Sequence, residues 1–148
     1  MKKSINQNAT VVCSKKITIN ADSKKVWSVL TDIDKWSSWN TGISYSKIKG
    51  SLKPKTTFDW KTGAIKIHST LHTVEPFTDF GWTGKAPGVS AIHNWSLAEA
   101  NGQTTVFVEE SMQGFLVKCF RKSFTKNLET QMQKWLDLLK KECESGLS

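Results

Sequence analysis

The sequence predicts an α+β fold in which a curved, seven-stranded antiparallel sheet wraps around one long C-terminal helix, with two short helices after the first strand. Three observations carry this reading. Residues 43–113 alternate apolar and polar with period two, the pattern of strands that bury one face. The turn signals between them are only a few residues long; such links join antiparallel neighbours, because a parallel return needs a dozen residues or more. Residues 115–143 then change to apolar steps of three and four, the mark of a single helix with one continuous stripe.

The elements follow in order. Residues 9–20 alternate as a strand, with Val11, Cys13, Ile17 and Ile19 on one face. Asp22 or Ser23 can cap a helix whose apolar positions are Val26, Trp27, Val29 and Leu30. A second short helix spans 34–39 and sets Trp36 and Trp39, three apart, on one face. Strands are predicted at 43–49, 56–62, 64–74, 78–85, 89–99 and 103–113. Between them lie Gly50 to Pro54, Thr62-Gly63, Glu75-Pro76, Pro87-Gly88 and Asn101-Gly102. The last helix carries Leu116, Cys119, Phe120, Phe124, Leu128, Met132, Trp135, Leu138 and Leu139 on its stripe, while Lys118, Lys122, Lys126, Lys134 and Lys141 lie largely away from it. A half-open sheet needs a cover, so the stripe packs on the sheet and encloses a space walled by the inward side of every strand.

Strand parity assigns what faces that space. In 64–74 the apolar set is Ile65, Ile67 and Leu71, which turns Lys66, His68 and His72 to solvent. The two histidines stand about 13 Å apart at the strand rise, too far to share a metal ion. In 89–99 His93 falls on the apolar face with Val89, Ala91, Trp95 and Leu97. In 103–113 the inward set is Val106, Val108, Glu110 and Met112, leaving Phe107 and Glu109 outward. Asn101-Gly102 is a strong hairpin signal; as the centre of a type I′ turn it pairs Ala100 with Gln103. Counting back along both strands sets Leu97 opposite Val106, Trp95 opposite Val108 and His93 opposite Glu110. Two titratable side chains therefore meet inside an apolar face. Such a pair serves as a structural hydrogen bond, as a ligand-orienting group, or as a general acid–base pair, and all three roles stay open here.

The remaining wall residues are aromatic. Phe58 and Trp60, Phe80 and Trp82, and Trp95 share the inward face, and Tyr45, the only tyrosine, has the parity of Ile43 and brings its hydroxyl inward. The candidate ligand-binding set is thus Tyr45, Phe58, Trp60, Trp82, His93, Trp95, Glu110 and Met112, with His93 and Glu110 also the candidate catalytic pair. Trp27, Trp36 and Trp39 belong to the short helices near one end, and Trp135 to the covering helix. Large aromatics with a few polar groups make a small-molecule pocket, or they fill the same space as core.

Composition narrows the function classes. With 148 residues, 38% apolar and 23% charged, the chain reads as one domain over 1–148 with a real core. Its net charge of +8 is uneven: 13 basic against 4 acidic residues in 1–70, 1 against 5 in 71–114, and 7 against 4 in 115–148. The lysines are scattered and Arg121 is the single arginine, which argues against nucleic acid as partner, because bidentate phosphate and guanine recognition favours Arg. No apolar run reaches the length of a membrane helix, and Lys2 and Lys3 precede no apolar stretch of a signal peptide. Cys13, Cys119 and Cys143 are far apart, show no zinc-ligand spacing and read as reduced thiols of a cytoplasmic protein, with Cys13 and Cys119 as small core residues. No nucleophile elbow, zinc-protease helix or phosphate loop is present; the glycines and lysine of 81–88 lack the Lys-Ser/Thr end a phosphate loop requires. Neither a metal nor a cofactor is expected.

These residues carry a resemblance. Ile17-x-Ile-x-Ala21, Val26-Trp27-x-x-Leu30-x-Asp32 and Trp36-x-x-Trp39-Asn40 resemble the opening of the START-like, or SRPBCC, superfamily. This is the helix-grip group of polyketide cyclase/dehydrase-type proteins and the birch-pollen-allergen fold. Gly81-Trp82-x-Gly84, His93-x-Trp95-x-Leu97, Gly102-x-Thr104 and Glu110-x-x-x-Gly114-Phe115 resemble one bacterial branch, and the element order agrees along essentially the whole chain. The resemblance implies a deep cavity between sheet and long helix that takes an apolar or aromatic molecule. It does not set the reaction, since members include carriers, receptors, cyclases, oxygenase subunits and chaperone activators. The Cys/His cluster of the oxygenase branch is absent, so no iron centre is expected. Two function classes follow: a carrier or sequestering protein for a small hydrophobic ligand, and a cofactor-independent cyclase or dehydratase in which His93 removes a proton and Glu110 holds the imidazole. A homodimer is left open, as is a protein-regulating module.

Overall fold

The computed structural model describes residues 3–145; Lys2, with which the N-terminal lysine pair begins, and the last three residues of the 1–148 span lie outside them. Seven strands form one antiparallel sheet in the order β1-β7-β6-β5-β4-β3-β2. The strands are β1 (Val11–Ile19), β2 (Ile43–Ile48), β3 (Thr57–Thr62), β4 (Ile65–Glu75), β5 (Asp79–Ala86), β6 (Val89–Ala100) and β7 (Gln103–Gln113). Helices α1 (Ser23–Thr31) and α2 (Trp36–Trp39) follow β1, and α3 (Phe115–Cys119) and α4 (Arg121–Glu144) close the chain. Consecutive strands from β2 to β7 form a meander, and β1 completes the sheet by pairing with β7.

Local chemistry places each piece. Asp22 caps α1, its carboxylate accepting from the Lys25 amide at 2.8 Å. Asn101 and Gly102 both have positive φ, the pair of conformations a type I′ turn requires, and the β6–β7 register is the one that turn dictates: Ala100 opposite Gln103, His93 opposite Glu110. Gly114 also needs its freedom, since at φ +129° a Cβ there would sit 2.4 Å from the Gly88 carbonyl oxygen. The β5–β6 turn and the start of α3 are therefore in backbone contact, and the Leu116 amide donates to that same carbonyl. At the other end, Glu144 accepts from Lys140 and from the Asn20 amide, while Lys140 also donates to Thr18, which ties the end of α4 to the end of β1.

Five expectations are corrected. The C-terminal segment is two helices rather than one, because Phe120 leaves helical geometry at φ −121°, ψ 41°. The buried stripe begins only at Leu128, where the helix reaches the sheet; Cys119 and Phe120 are exposed, so Cys119 is no core residue. Tyr45 points outward at 50% exposure. A bulge between Ile43 and Tyr45 inserts one residue into β2, which reverses the parity beyond it and buries Ser46 instead. Trp36, assigned to one end, is fully buried at the centre of the aromatic core. It packs edge-on against Phe58, Trp60 and Trp135 at 5.2–5.8 Å and tilted on Trp82 at 5.4 Å. Its indole N–H donates to the Leu30 carbonyl at 2.9 Å, so a turn of helix delivers it inward without an unsatisfied donor. His68 is exposed as expected, where it meets Asp59, but His72 is partly buried, lying over Gly81 on the outer face.

Candidate functional site

The inward face of β5, β6 and β7 is a set of cross-strand rows. Phe80, Trp95 and Val108 form one, and all three are buried. Trp82, His93 and Glu110 form the next, and Gly84, Ala91 and Met112 the one after, followed by Ala86 beside Val89. Side-chain volume falls sharply from the first row to the last. Where it falls, the space between sheet and α4 stays open as a cavity of about 380 Å3. Its walls are Trp60, Ile67 and Trp82 from the sheet and Phe124, Leu128, Met132 and Trp135 from α4, with Gly84, Ala86, Ala91 and Val89 at the positions of least bulk. A volume of this size suits a small organic ligand. Polar side chains reach it from Asn40, Asn127 and Gln131, and from the row between filled and open space, which carries His93 and Glu110.

That boundary row is tightly defined. His93 Nδ1 lies 2.5 Å from Glu110 Oε1, a charge-assisted hydrogen bond in a site where the two residues are 5% and 8% exposed. The imidazole is stacked against Trp82 with centroids 4.4 Å apart and against Trp95 at 5.3 Å, and Trp135 closes on it at 5.5 Å. With Nδ1 committed to Glu110, the other nitrogen, Nε2, is buried and has no hydrogen-bond partner. The Trp135 indole N–H, on a residue that lines the cavity, is likewise buried and unpartnered. Buried polar atoms without partners are uncommon, and a ring nitrogen held in this state is a group available to a ligand or a proton once its cover moves. Cys13 stands opposite Glu110 on β1. Burial pushes its thiol up from the ordinary range, with Lys15 opposing and Glu129 and Glu110 adding to the shift, so it is protonated at neutral pH.

Five of the eight residues proposed from sequence reach the cavity: Trp60, Trp82, His93, Glu110 and Met112. Tyr45 does not, for the bulge described above; it borders a separate groove with Asp59, Lys61, Lys66, His68 and Lys85. Phe58 and Trp95 are fully buried in the packed part of the core and leave the cavity to their neighbours. Sequence reasoning left Gly84 and Ala86 unassigned and placed Ala91 inward without a role, although the small size of all three makes the room. The signal was present: treating Pro87-Gly88 as a two-residue turn pairs Ala86 with Val89 and Gly84 with Ala91, as observed. It also missed Phe124, Asn127 and Gln131, which helix periodicity alone could not aim at the strands. Among the described residues no three His, Cys, Asp or Glu side chains converge as a metal-binding group.

Helix-over-sheet architecture with a cavity at its concave face defines a class of cavity-bearing folds, and comparison with known proteins gives it a family. Residues 10–144 match the family described as polyketide cyclase/dehydrase and lipid transport, and the chain belongs to it. Its fold is that of a hypothetical protein from Helicobacter pylori, with a TM-score of 0.81 at 20% identity over 94% of this chain and 95% of that one. It is equally that of the Zhui aromatase/cyclase from Streptomyces sp. R1128, with a TM-score of 0.81 at 13% identity over 93% and 95% of the two chains. Ara h 8.0201 superposes with a TM-score of 0.74 at 13% identity over 90% and 97%. The expected helix-grip, START-like fold is thereby shown. No curated protein sequence is significantly similar to the chain, and no helix among the described residues is long and apolar enough to cross a membrane.

Proposed function

We propose that this chain binds a small, largely apolar or aromatic molecule in the cavity between the sheet and α4, and serves as its carrier or sequestering protein in the cytoplasm. The observation that supports this is the wall itself: about 380 Å3 bordered by Trp60, Trp82 and Trp135, with polar groups confined to a few positions. Affinity would come from apolar burial at about 25 cal/mol per Å2, with Glu110 and His93 orienting one polar end of the ligand. The test is native mass spectrometry of the purified protein, followed by extraction and identification of what it carries. A ligand of this chemistry bound one to one is the expected result. A chain that copurifies with nothing and takes up no aromatic probe would overturn the reading.

A second reading, a cofactor-independent cyclase or dehydratase, has one observation in its favour: His93 is oriented by Glu110 and its Nε2 is unpartnered. In that chemistry Nε2 accepts a proton from the substrate while Nδ1–H keeps its bond to the carboxylate, which stabilises the imidazolium formed. The carrier reading stands first because its affinity rests on the apolar wall and survives with Nε2 covered, whereas a base acts only once that nitrogen is uncovered from the indole rings around it. His93→Ala separates the two: lost turnover with nearly unchanged thermal stability marks an enzyme, whereas a lowered melting temperature marks a structural pair.

A further inference from the structure

We infer that α3 and its bend into α4 form a docking surface for an anionic lipid bilayer, placed beside the cavity wall. Phe115 and Phe120, 69% and 58% exposed, are the two most exposed large apolar side chains of the described residues. Two other exposed aromatics are covered: Phe77 packs edge-on against Trp27, and the Lys16 ammonium lies over the Phe107 ring. Phe115 and Phe120 make no such contact among the described residues; Phe115 opens α3 and Phe120, five positions on, is the residue at which the chain bends into α4.

Charge identifies what covers them. Lys118, Arg121, Lys122 and Lys126 are all exposed, and residues 111–128 contain no carboxylate. Apolar aromatics set among cations are the composition of an interfacial segment that inserts its rings at the headgroup boundary while its cations meet anionic lipid. A second copy of the chain is a poor occupant, since a two-fold contact through this bend sets its cations against the same cations of the partner. Position supplies the use. Leu116 is held to Gly88 at the β5–β6 turn, and Phe124, one turn beyond Phe120, lines the cavity with Val89 from that turn. A molecule leaving the cavity there would pass into lipid without crossing water. This use rests on the cavity reading above; the docking itself does not.

Co-sedimentation of the full chain with vesicles of phosphatidylcholine, with and without about one third phosphatidylglycerol, tests the surface. Binding to the anionic vesicles should be at least about tenfold tighter and should weaken in high salt. The double variant Phe115→Ser, Phe120→Ser should lose at least about tenfold of it, and both side chains are too exposed for the change to harm folding. Equal binding to both vesicles, or binding unaffected by the double variant, overturns the proposal. So does a wild-type dimer that the double variant turns into a monomer, which would make the bend a self-association face. Ala91→Phe, which fills the cavity, should abolish ligand uptake and keep vesicle binding. A wild-type chain that binds vesicles but no ligand would retain the docking surface and lose the cavity reading.

Discussion

The concave face of this sheet has a filled half and a hollow half, built on the same strands with the same period. In the filled half Phe58, Phe80, Trp95 and Val108 are buried, and the Trp36 ring packs against two strands, β3 and β5, and against α4. In the hollow half Gly84, Ala86 and Ala91 stand at equivalent inward positions and α4 passes over them at a distance set by the bulk next door. Hydrophobic patterning is identical in the two halves. Residue volume alone decides which becomes core and which becomes cavity, because packed aromatics act as spacers that keep the helix from collapsing onto the small residues.

Trp36→Ala attacks the spacer and should have the largest effect, a loss of about 3–5 kcal/mol in urea unfolding, with the cavity lost alongside. Ala91→Phe attacks the hollow. It should cost at least about tenfold in ligand affinity by calorimetry while leaving the melting temperature unchanged or raised, since the added ring enters empty space. A drop in stability as large as that of Trp36→Ala would mean the two halves are one packed core. Glu110→Gln tests the boundary row. Replacing the carboxylate weakens the bond to His93 at a buried site, and a loss of about 1–3 kcal/mol is expected. The smallest effect concerns the thiols. Burial pushes Cys143 up to about 12 and raises Cys13 as well, so at pH 8 both remain protonated in the folded chain. Brief native alkylation should therefore yield one adduct, on exposed Cys119, by mass spectrometry; a second adduct would show that the sheet–helix interface opens readily.

The difference between the halves also explains what could be read in advance. Period two located all seven strands, because a half-buried strand must alternate whatever lies opposite. The Asn101-Gly102 turn set His93 against Glu110, because both residues of a type I′ turn need positive φ and the count of paired residues then follows. Tyr45 escaped for a related reason: parity holds only until a bulge adds a residue, and the short segment 43–48 carries no mark of one. Phe58 and Trp95 were placed on the correct face and still miss the cavity, since parity states which side a residue takes and nothing of how far it stands from the helix.

From the sequence alone come the strand count, the two-residue turns, the inward parity of Trp60, Trp82, His93 and Glu110, and the amphipathic stripe of the last helix. Each is a local property, dictated by backbone sterics or by a period of two or 3.6 residues. Tertiary structure decided the rest: that Trp36 from a one-turn helix is the centre of the core, that the last helix breaks at Phe120 and leaves Cys119 and Phe120 outside, and that α4 stands clear of Gly84 and Ala91. Those outcomes depend on which side chains meet across the molecule and on how their volumes add, and no segment of chain holds that information by itself.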